Sequence, residues 1–187
     1  MKKVIQMLVT LSLIGVVSGG VLSKLNGWAQ PKIAAHRKAE TERAIFIVQP
    51  NAKIYEKVEE VDFELYRVFE DSTTQVGYAM VYQGNGFAGN MRVMAGVTND
   101  VSHIVGIQIL EQTETPGLGT KVTEEPFTRQ FIDLSTNPQV DYVKGVPPTN
   151  DNEIQAITGA TISSKSVVAI INGGILKLKE LVERGNL

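Results

Sequence analysis

The sequence contains no cysteine and only two histidines, His36 and His103, which lie far apart in the chain. The absence of cysteine excludes disulfides, thiolate-bound zinc and cysteine-ligated iron–sulfur clusters. Two distant histidines do not form the clustered pattern of a histidine metal site. The formal net charge is −2, without the basic excess that nucleic-acid-binding domains show, so we expect no nucleic acid as a partner. Any redox or metal chemistry must therefore use an organic cofactor or oxygen ligands.

Residue patterns for hydrolytic or acid–base catalysis are also missing. The sequence shows no Ser–His–Asp arrangement and no close pair of carboxylates in an apolar setting, so we expect no independent catalytic site. An acidic cluster occurs at Glu59, Glu60, Asp62 and Glu64. Its spacing does not match a calcium-binding loop, and a solvated edge is the favoured interpretation.

Residues 4–22, VIQMLVTLSLIGVVSGGVL, form one uncharged and mostly apolar run behind two lysines. A helix rises about 1.5 Å per residue, so roughly 20 residues cross a hydrocarbon core about 30 Å thick. The run is longer than the apolar region of a usual signal peptide, which favours a retained anchor over a signal cleaved near Gly27 and Ala29. We therefore predict an N-terminal transmembrane anchor at residues 1–23.

Positive charges flank the apolar run on both sides, so the positive-inside rule does not decide its orientation. Residues 24–60 are predicted as a helical linker. It comprises a short link ending at Pro31, a helix over about residues 32–48 and a shorter helical stretch around residues 52–60. The remaining residues, 61–187, are predicted to form one domain.

Between Phe63 and Leu110 the apolar pattern changes to a period of two, interrupted by turn residues at 84–86 and 99–100. This pattern predicts an antiparallel meander. A loop, EQTETPGLGTK, follows at residues 111–121.

After this loop, the sequence predicts a helix starting at about Thr123, a short strand near residues 141–146, and a last helix over about Ser163 to Glu183. The predicted fold class is α+β: an antiparallel β-sheet with packed helices, preceded by a single N-terminal transmembrane helix.

The segment TGATISSK, residues 158–165, collects four hydroxyl side chains immediately before the last helix. The start of a helix offers unpaired N–H groups and a partial positive charge, and Gly159 and Ala160 allow close approach to a ligand. With Lys165 nearby, the segment is typical of a phosphate site, although it matches neither the P-loop nor the Rossmann spacing. From these residues alone, a capped helix with spare hydroxyls in a surface turn is equally compatible.

Three segments resemble the RnfG/NqrC FMN-binding domain family. TGATISSKSVV, residues 158–168, is similar to the family signature, in which the threonine that closes S/T-G-A-T carries FMN through a phosphoester bond. ETPGLG, residues 114–119, is similar to the family's loop beside the isoalloxazine ring, and GYAMVYQGNGFAGNM, residues 77–91, resembles its sheet. By this resemblance Thr161 is the attachment residue. Gln155 stands where the family usually has an aspartate.

The resemblance implies that both motifs contribute to one covalent FMN site. In it, Thr115, Leu118 and Gly119 would line the ring, and either Lys165 or Ser164 would face the phosphate. The full set of implied cofactor-binding residues is Thr158, Gly159, Ala160, Thr161, Ser163, Ser164, Lys165, Glu114, Thr115, Gly117, Leu118 and Gly119.

The resemblance also implies an electron-relay subunit of a membrane-bound, ion-translocating oxidoreductase complex of the Rnf type, which transfers electrons between ferredoxin and NAD. Its partners would be other membrane and redox subunits, a flavin transferase during maturation, and membrane lipid. The chain would sit in the inner (cytoplasmic) membrane with its FMN domain on the extracytoplasmic side. Three alternatives remain open: an NqrC-like subunit of Na⁺-translocating NADH:quinone reductase, a membrane-tethered module that binds a phosphorylated ligand reversibly, and a cell-envelope protein with a vestigial motif.

Overall fold

A computed structural model describes residues 1–59 and 61–185. Glu60, a member of the predicted acidic cluster, lies outside the described residues. The chain divides into two compact units, Met1–Glu40 and Thr41–Leu187. A single helix, α1, spans Lys2–Val48.

In the first unit the residues of α1 are almost entirely exposed. By length and composition this helix is apolar enough to cross a membrane. Residues 24–31, predicted as a link ending at Pro31, are helical instead, so that part of the prediction is wrong. One proline removes only one backbone hydrogen bond, and the alanine, lysine and glutamate residues that follow favour helix. The boundary at residue 23 stays a prediction.

The second unit contains a six-stranded sheet whose strands follow in chain order and pair antiparallel throughout. The predicted meander and the α+β class are confirmed. The strands are β1 (Ile54–Val58), β2 (Glu64–Phe69), β3 (Gln75–Asn85), β4 (Asn90–Thr98), β5 (His103–Glu111) and β6 (Leu134–Ser135).

The helical stretch predicted at residues 52–60 is wrong, because residues 54–58 form β1. β1 pairs with β2 over its whole length. Tyr55 packs edge-to-face against Tyr66 of β2, with ring centroids 5.7 Å apart, and against Phe46 at 5.9 Å. These non-local contacts outweigh the local helical pattern, since strand preference depends on neighbouring side chains.

Between β5 and the last helix the chain forms short elements. A 3₁₀ turn covers Gly119–Thr123, and α2 (Glu125–Thr128) follows it, with a second 3₁₀ turn at Arg129–Phe131. Glu124, not Thr123, occupies the N-cap of α2, so the predicted cap is wrong by one position. The proline at the start of α2 suits a first helical turn, where its missing N–H costs nothing.

Two further strands, β7 (Asp141–Lys144) and β8 (Glu153–Ala156), form a separate parallel pair. β7 confirms the predicted short strand, whereas β8 was not predicted. The last helix, α3, spans Thr161–Glu183 and begins two residues earlier than expected.

Helix α3 covers one face of the large sheet, and the end of α1 covers the other. The spacing of apolar residues in α3 predicts one buried face. Leu181 at its end is only partly buried, and the buried members are Val167, Ile170, Ile171, Ile175 and Leu178. On the opposite face, Ala44, Ile45 and Val48 pack against β2, β3 and β4. Each fully buried valine, leucine or isoleucine side chain contributes about 1.5–3 kcal/mol. The sheet is therefore held between two helices.

The end of α1 lies so close to β4 that a side chain at position 96 would not fit. Gln49, just after α1, is buried, and its Nε2 donates to the Tyr78 oxygen at 3.0 Å and the Val97 oxygen at 2.8 Å. A Cβ at Gly96 would lie 2.2 Å from the Val48 oxygen. Only glycine permits this approach.

We expect Gly96→Ala to lower the free energy of unfolding by about 2 kcal/mol or more, because the clash is with backbone that cannot rotate away. Urea unfolding of the whole chain in detergent measures this change. Gly106→Ala is the matched control, since its Cβ would find Val48 Cα at 3.4 Å, an ordinary contact. Equal destabilisation by both substitutions would contradict the close approach at Gly96.

Candidate functional site

Four segments form a cleft of about 320 Å³: the turn between β3 and β4, the loop after β5, the end of β7, and the start of α3. The two sequence motifs, some forty residues apart, therefore meet in one place. The lining residues are Phe87, Glu114, Thr115, Leu118, Gly119, Lys144, Gly159, Ala160, Thr161, Ile162 and Ser163.

Thr161 is the first residue of α3 and lies half-buried in the cleft wall. Ala160 holds the N-cap position and provides no side-chain acceptor for the first N–H groups of the helix. Within the part of the chain that the structure describes, the Thr161 hydroxyl has no hydrogen-bond partner. The hydroxyl and the uncapped N–H groups are thus available to a bound group.

The turn before α3 gives Thr161 this position. Ala160 N donates to the Ile157 oxygen at 2.9 Å, and Gly159 adopts φ +84°. This left-handed conformation favours glycine. A Cβ at Gly159 would have Leu118 Cδ2 as its neighbour at 3.6 Å, so the tip of the other motif lies against this turn.

Ser164 stabilises this turn and does not line the cleft. Its side chain is fully buried, and its Oγ accepts from Ile157 N at 3.1 Å and donates to the Ala160 oxygen at 3.0 Å. Lys165 is exposed and is also absent from the cleft wall. Neither of the two residues expected to face the phosphate therefore lies in the cleft.

Glu114 joins three of the four segments. The residue is 5% exposed, and its Oε1 accepts from Phe87 N at 2.7 Å and from Ala88 N at 3.1 Å. Its Oε2 accepts from Ser163 Oγ at 2.7 Å. Such hydrogen bonds to a charged acceptor are strong and short. Glu114 thus fixes the β3–β4 turn and the start of α3 relative to the loop.

Two glycines of the loop have different roles. A Cβ at Gly119 would lie 2.3 Å from Glu114 Oε2 and 2.7 Å from Ser163 Oγ, so a side chain here would displace their hydrogen bond. Gly117 adopts φ +75° and has open space around it.

We expect Gly119→Ala to destabilise the domain by about 2 kcal/mol, because the added methyl group displaces a buried, charged hydrogen bond. Gly117→Ala is the control, and its cost is about 1 kcal/mol of backbone strain alone. Urea unfolding gives both values. The flavin content of protein made in its native host should fall for Gly119→Ala and stay near normal for Gly117→Ala. The reverse order would contradict this arrangement.

Thr158 does not line the cleft that contains Thr161. It lines a separate groove together with Gln155 and Phe127. In that groove the backbone of Gln155 is paired with the side chain of Gln130: Gln155 N donates to Oε1 at 2.7 Å, and Nε2 donates to the Gln155 oxygen at 3.2 Å. Thr158 is thus a predicted site residue that lies outside the cleft.

Sequence reasoning missed three residues in the cleft wall: Phe87, Lys144 and Ile162. Phe87 and Ile162 are large apolar side chains with exposed fractions of 68% and 53%. An apolar residue in the glycine-rich turn GNGFAGN was an available signal for Phe87. Lys144 had no local signal, because it reaches the cleft only through the pairing of β7 with β8.

A larger cleft, of about 530 Å³, lies elsewhere, beside β2, β3 and the second half of α3. Its charges pair with one another: Arg92 with Glu64 at 2.7 Å, and Lys177 with Asp62. The hydrogen bond from Lys177 lowers the pKa of Asp62. No cluster of metal-ligating side chains occurs among the described residues there or elsewhere. The charges of this cleft are already neutralised, so it is the weaker candidate.

Residues 86–175 match the FMN-binding domain family. The chain is 30% identical over 182 residues to the G subunit of the ion-translocating oxidoreductase complex of Methanosarcina acetivorans, covering 93% of this chain and 94% of that protein. It is 34% identical over 173 residues to the G subunit of the Na⁺-translocating ferredoxin:NAD⁺ oxidoreductase complex of Acetobacterium woodii, covering 88% and 81%.

The fold is similar to the crystal structure of the C subunit of Na⁺-translocating NADH-quinone reductase from Parabacteroides distasonis. The TM-score is 0.56 and the identity 22%, with 70% of this chain and 76% of that chain covered. All the residues that line the cleft around Thr161 fall within the range that matches the FMN-binding domain.

Proposed function

Because the chain belongs to the FMN-binding domain family, alongside the G subunits of ion-translocating oxidoreductase complexes, we propose that it is the electron-relay subunit of such a complex, of the Rnf type. It carries FMN linked by a phosphoester to Thr161. The observation that carries this proposal is the meeting of both motifs around a Thr161 hydroxyl that has no hydrogen-bond partner among the described residues. Flavin exchanges one or two electrons, so it links carriers of either kind.

The residues of the cleft fit such a group. Thr161 supplies an oxygen nucleophile, and the uncapped start of α3 offers N–H groups and a partial positive charge to a phosphate. Phe87, Leu118 and Ile162 present exposed apolar side chains, as contact with a flat aromatic ring requires. Because these side chains are exposed, a ring held against them stays accessible to a redox partner.

Covalent attachment has a physical reason in this cleft. A helix terminus stabilises an exposed anion by about 0.3–1 kcal/mol, which is too little to retain a dissociable cofactor outside the cytoplasm. Attachment would form a bond from Thr161 Oγ1 to the FMN phosphorus of a flavin dinucleotide donor. It would break the phosphoanhydride P–O bond of that donor and release a nucleoside monophosphate together with the hydroxyl proton. A flavin transferase acting on the chain during maturation catalyses this step.

The chain's own residues position the cofactor and carry out no acid–base step. Glu114 holds Ser163, and through it the first turn of α3, at a fixed place beside the loop. Ser164 holds the preceding turn in the same way. Thr161 Oγ1 is therefore presented from a rigid helix end, as a tethered electron carrier needs for a constant distance to its partners.

Helix α1 provides the membrane anchor and contacts other membrane subunits of the complex. The FMN domain lies on the extracytoplasmic side of the inner membrane, with the N-terminus in the cytoplasm. Cysteines introduced on either side of residues 4–22 and probed with an impermeant thiol reagent test this orientation. The natural chain has no cysteine to interfere.

Mass spectrometry of the denatured chain from its native host tests the proposed attachment. The expected result is one FMN retained after unfolding and washing, mapped to the peptide that contains Thr161. A bare chain that binds FMN only reversibly would favour the phosphorylated-ligand module instead. If no preparation of the chain carries flavin, the remaining alternative is a cell-envelope protein with a vestigial motif.

A further inference from the structure

Lys144 occupies the end of β7 beside the turn that leads into α3. Its register partner in the parallel β7–β8 pair is Ala156, the last residue of β8. The chain passes from Ala156 directly into the turn that closes at Ala160. The ladder therefore holds the Lys144 backbone next to the segment that presents Thr161.

The charge of Lys144 is uncompensated in the cleft. Among the lining residues it is the single cation, and the single acid is Glu114. Glu114 is buried and already accepts three hydrogen bonds. The Lys144 side chain forms no ion pair or hydrogen bond with any residue in the described ranges. An unpaired cation at the rim of a cleft is suited to an anionic ligand.

Lys165 is the lysine that the sequence pattern selects, since it follows the TGAT motif closely. It lies four residues after Thr161 on α3, and its exposed side chain does not line the cleft. The two lysines have the same charge and are both exposed, but they differ in position relative to Thr161, so each is a control for the other.

We propose that Lys144, not Lys165, pairs with the phosphodiester anion on Thr161. This inference rests on the proposed function, because it requires a phosphate ester at Thr161. Lys144 lines the cleft from the end of β7, and the uncapped N–H groups lie at the start of α3, which lines the same cleft. An ion pair of this exposure shifts a local equilibrium by up to about fivefold. Lys144 is a positioning residue: it restrains the phosphate, and so the flavin, within the cleft.

Phosphorus NMR of the flavin-loaded whole chain in detergent tests this assignment. In the natural chain the phosphodiester resonance should move as salt rises toward about 1 M, where the screening length falls to about 3 Å. Lys144→Gln should remove most of this salt-dependent shift and increase the mobility of the flavin in fluorescence anisotropy. Lys165→Gln should leave both readouts unchanged, and Lys144→Arg should preserve the shift because it keeps the charge.

The outcomes separate this inference from the proposed function. Loss of the shift in Lys165→Gln, or its retention in Lys144→Gln, would overturn the assignment while leaving the covalent flavin in place. If Lys144→Gln fails to fold, the natural chain and Lys144→Arg are compared instead. The assignment is overturned if the phosphodiester resonance of either protein does not move with salt. Absence of any phosphorus signal from the denatured, washed natural chain would remove both the proposed function and this inference.

Discussion

Replacing Thr161 by valine is expected to abolish covalent flavin completely while leaving the fold intact. Valine has the shape of threonine without the oxygen that forms the ester. Because the Thr161 hydroxyl has no hydrogen-bond partner among the described residues, its removal should change the free energy of unfolding by no more than about 1 kcal/mol. Denatured Thr161→Val protein from the native host should be colourless and have the mass of the bare chain.

Two controls make this result specific. Thr161→Ser keeps a hydroxyl at the same place on α3 and should still carry flavin. Thr158→Val removes the other threonine of the motif, which lines the separate groove, and should also carry flavin. Covalent flavin in Thr161→Val, or its loss only in Thr158→Val, would refute Thr161 as the attachment residue.

Replacing Glu114 by alanine is expected to destabilise the domain by about 3–4 kcal/mol, the largest effect among single substitutions in this cleft. The substitution leaves Phe87 N, Ala88 N and Ser163 Oγ without their acceptor. A donor that loses its partner in a buried site costs about 1–3 kcal/mol. Urea unfolding of the whole chain in detergent measures the loss. Flavin attachment should fall as well, because the start of α3 loses its link to the loop.

Glu124→Ala is the matched control for Glu114→Ala. Glu124 is exposed and its side chain caps no helix, so its removal should change stability by no more than about 0.5 kcal/mol. Glu114→Gln keeps an oxygen acceptor without the charge and should cost about half as much as Glu114→Ala. Equal stability of the Glu114→Ala and Glu124→Ala proteins would show that Glu114 does not join the three segments.

Helix α3 and the meander are parts of the fold that local residue patterns predict. The apolar spacing from Val167 to Leu178 requires a helix with one buried face, and the structure has that helix and that face. The period-two pattern likewise requires hairpins, which β3, β4 and β5 form. The first turn lies at residues 86–89, not at 84–86 as predicted, because Gly84 and Asn85 still pair with Met91 and Asn90. These local patterns predict the elements correctly because each element buries its own stripe of side chains.

The predictions that were wrong depend on partners distant in the chain. Residues 52–60 had a helical pattern, but pairing with β2 makes residues 54–58 strand β1. The parallel partner of β7 was not expected, because nothing in the sequence near residues 153–156 marks a strand pairing across an intervening loop. The local conformational preference of a segment contributes less free energy than pairing with a neighbouring strand along its whole length.

The sequence by itself determined the apolar N-terminal helix, the α+β class, and the two motifs that identify the family. It did so because helix length, side-chain period and signature spacing are properties of neighbouring residues. Only the tertiary structure decided that the motifs meet through Glu114 and Ser163. It also decided that Ser164 faces inward. Finally, it decided that Lys144 rather than Lys165 lines the cleft. Those facts depend on strand pairing and on which side of a turn a side chain occupies, and no local pattern encodes either.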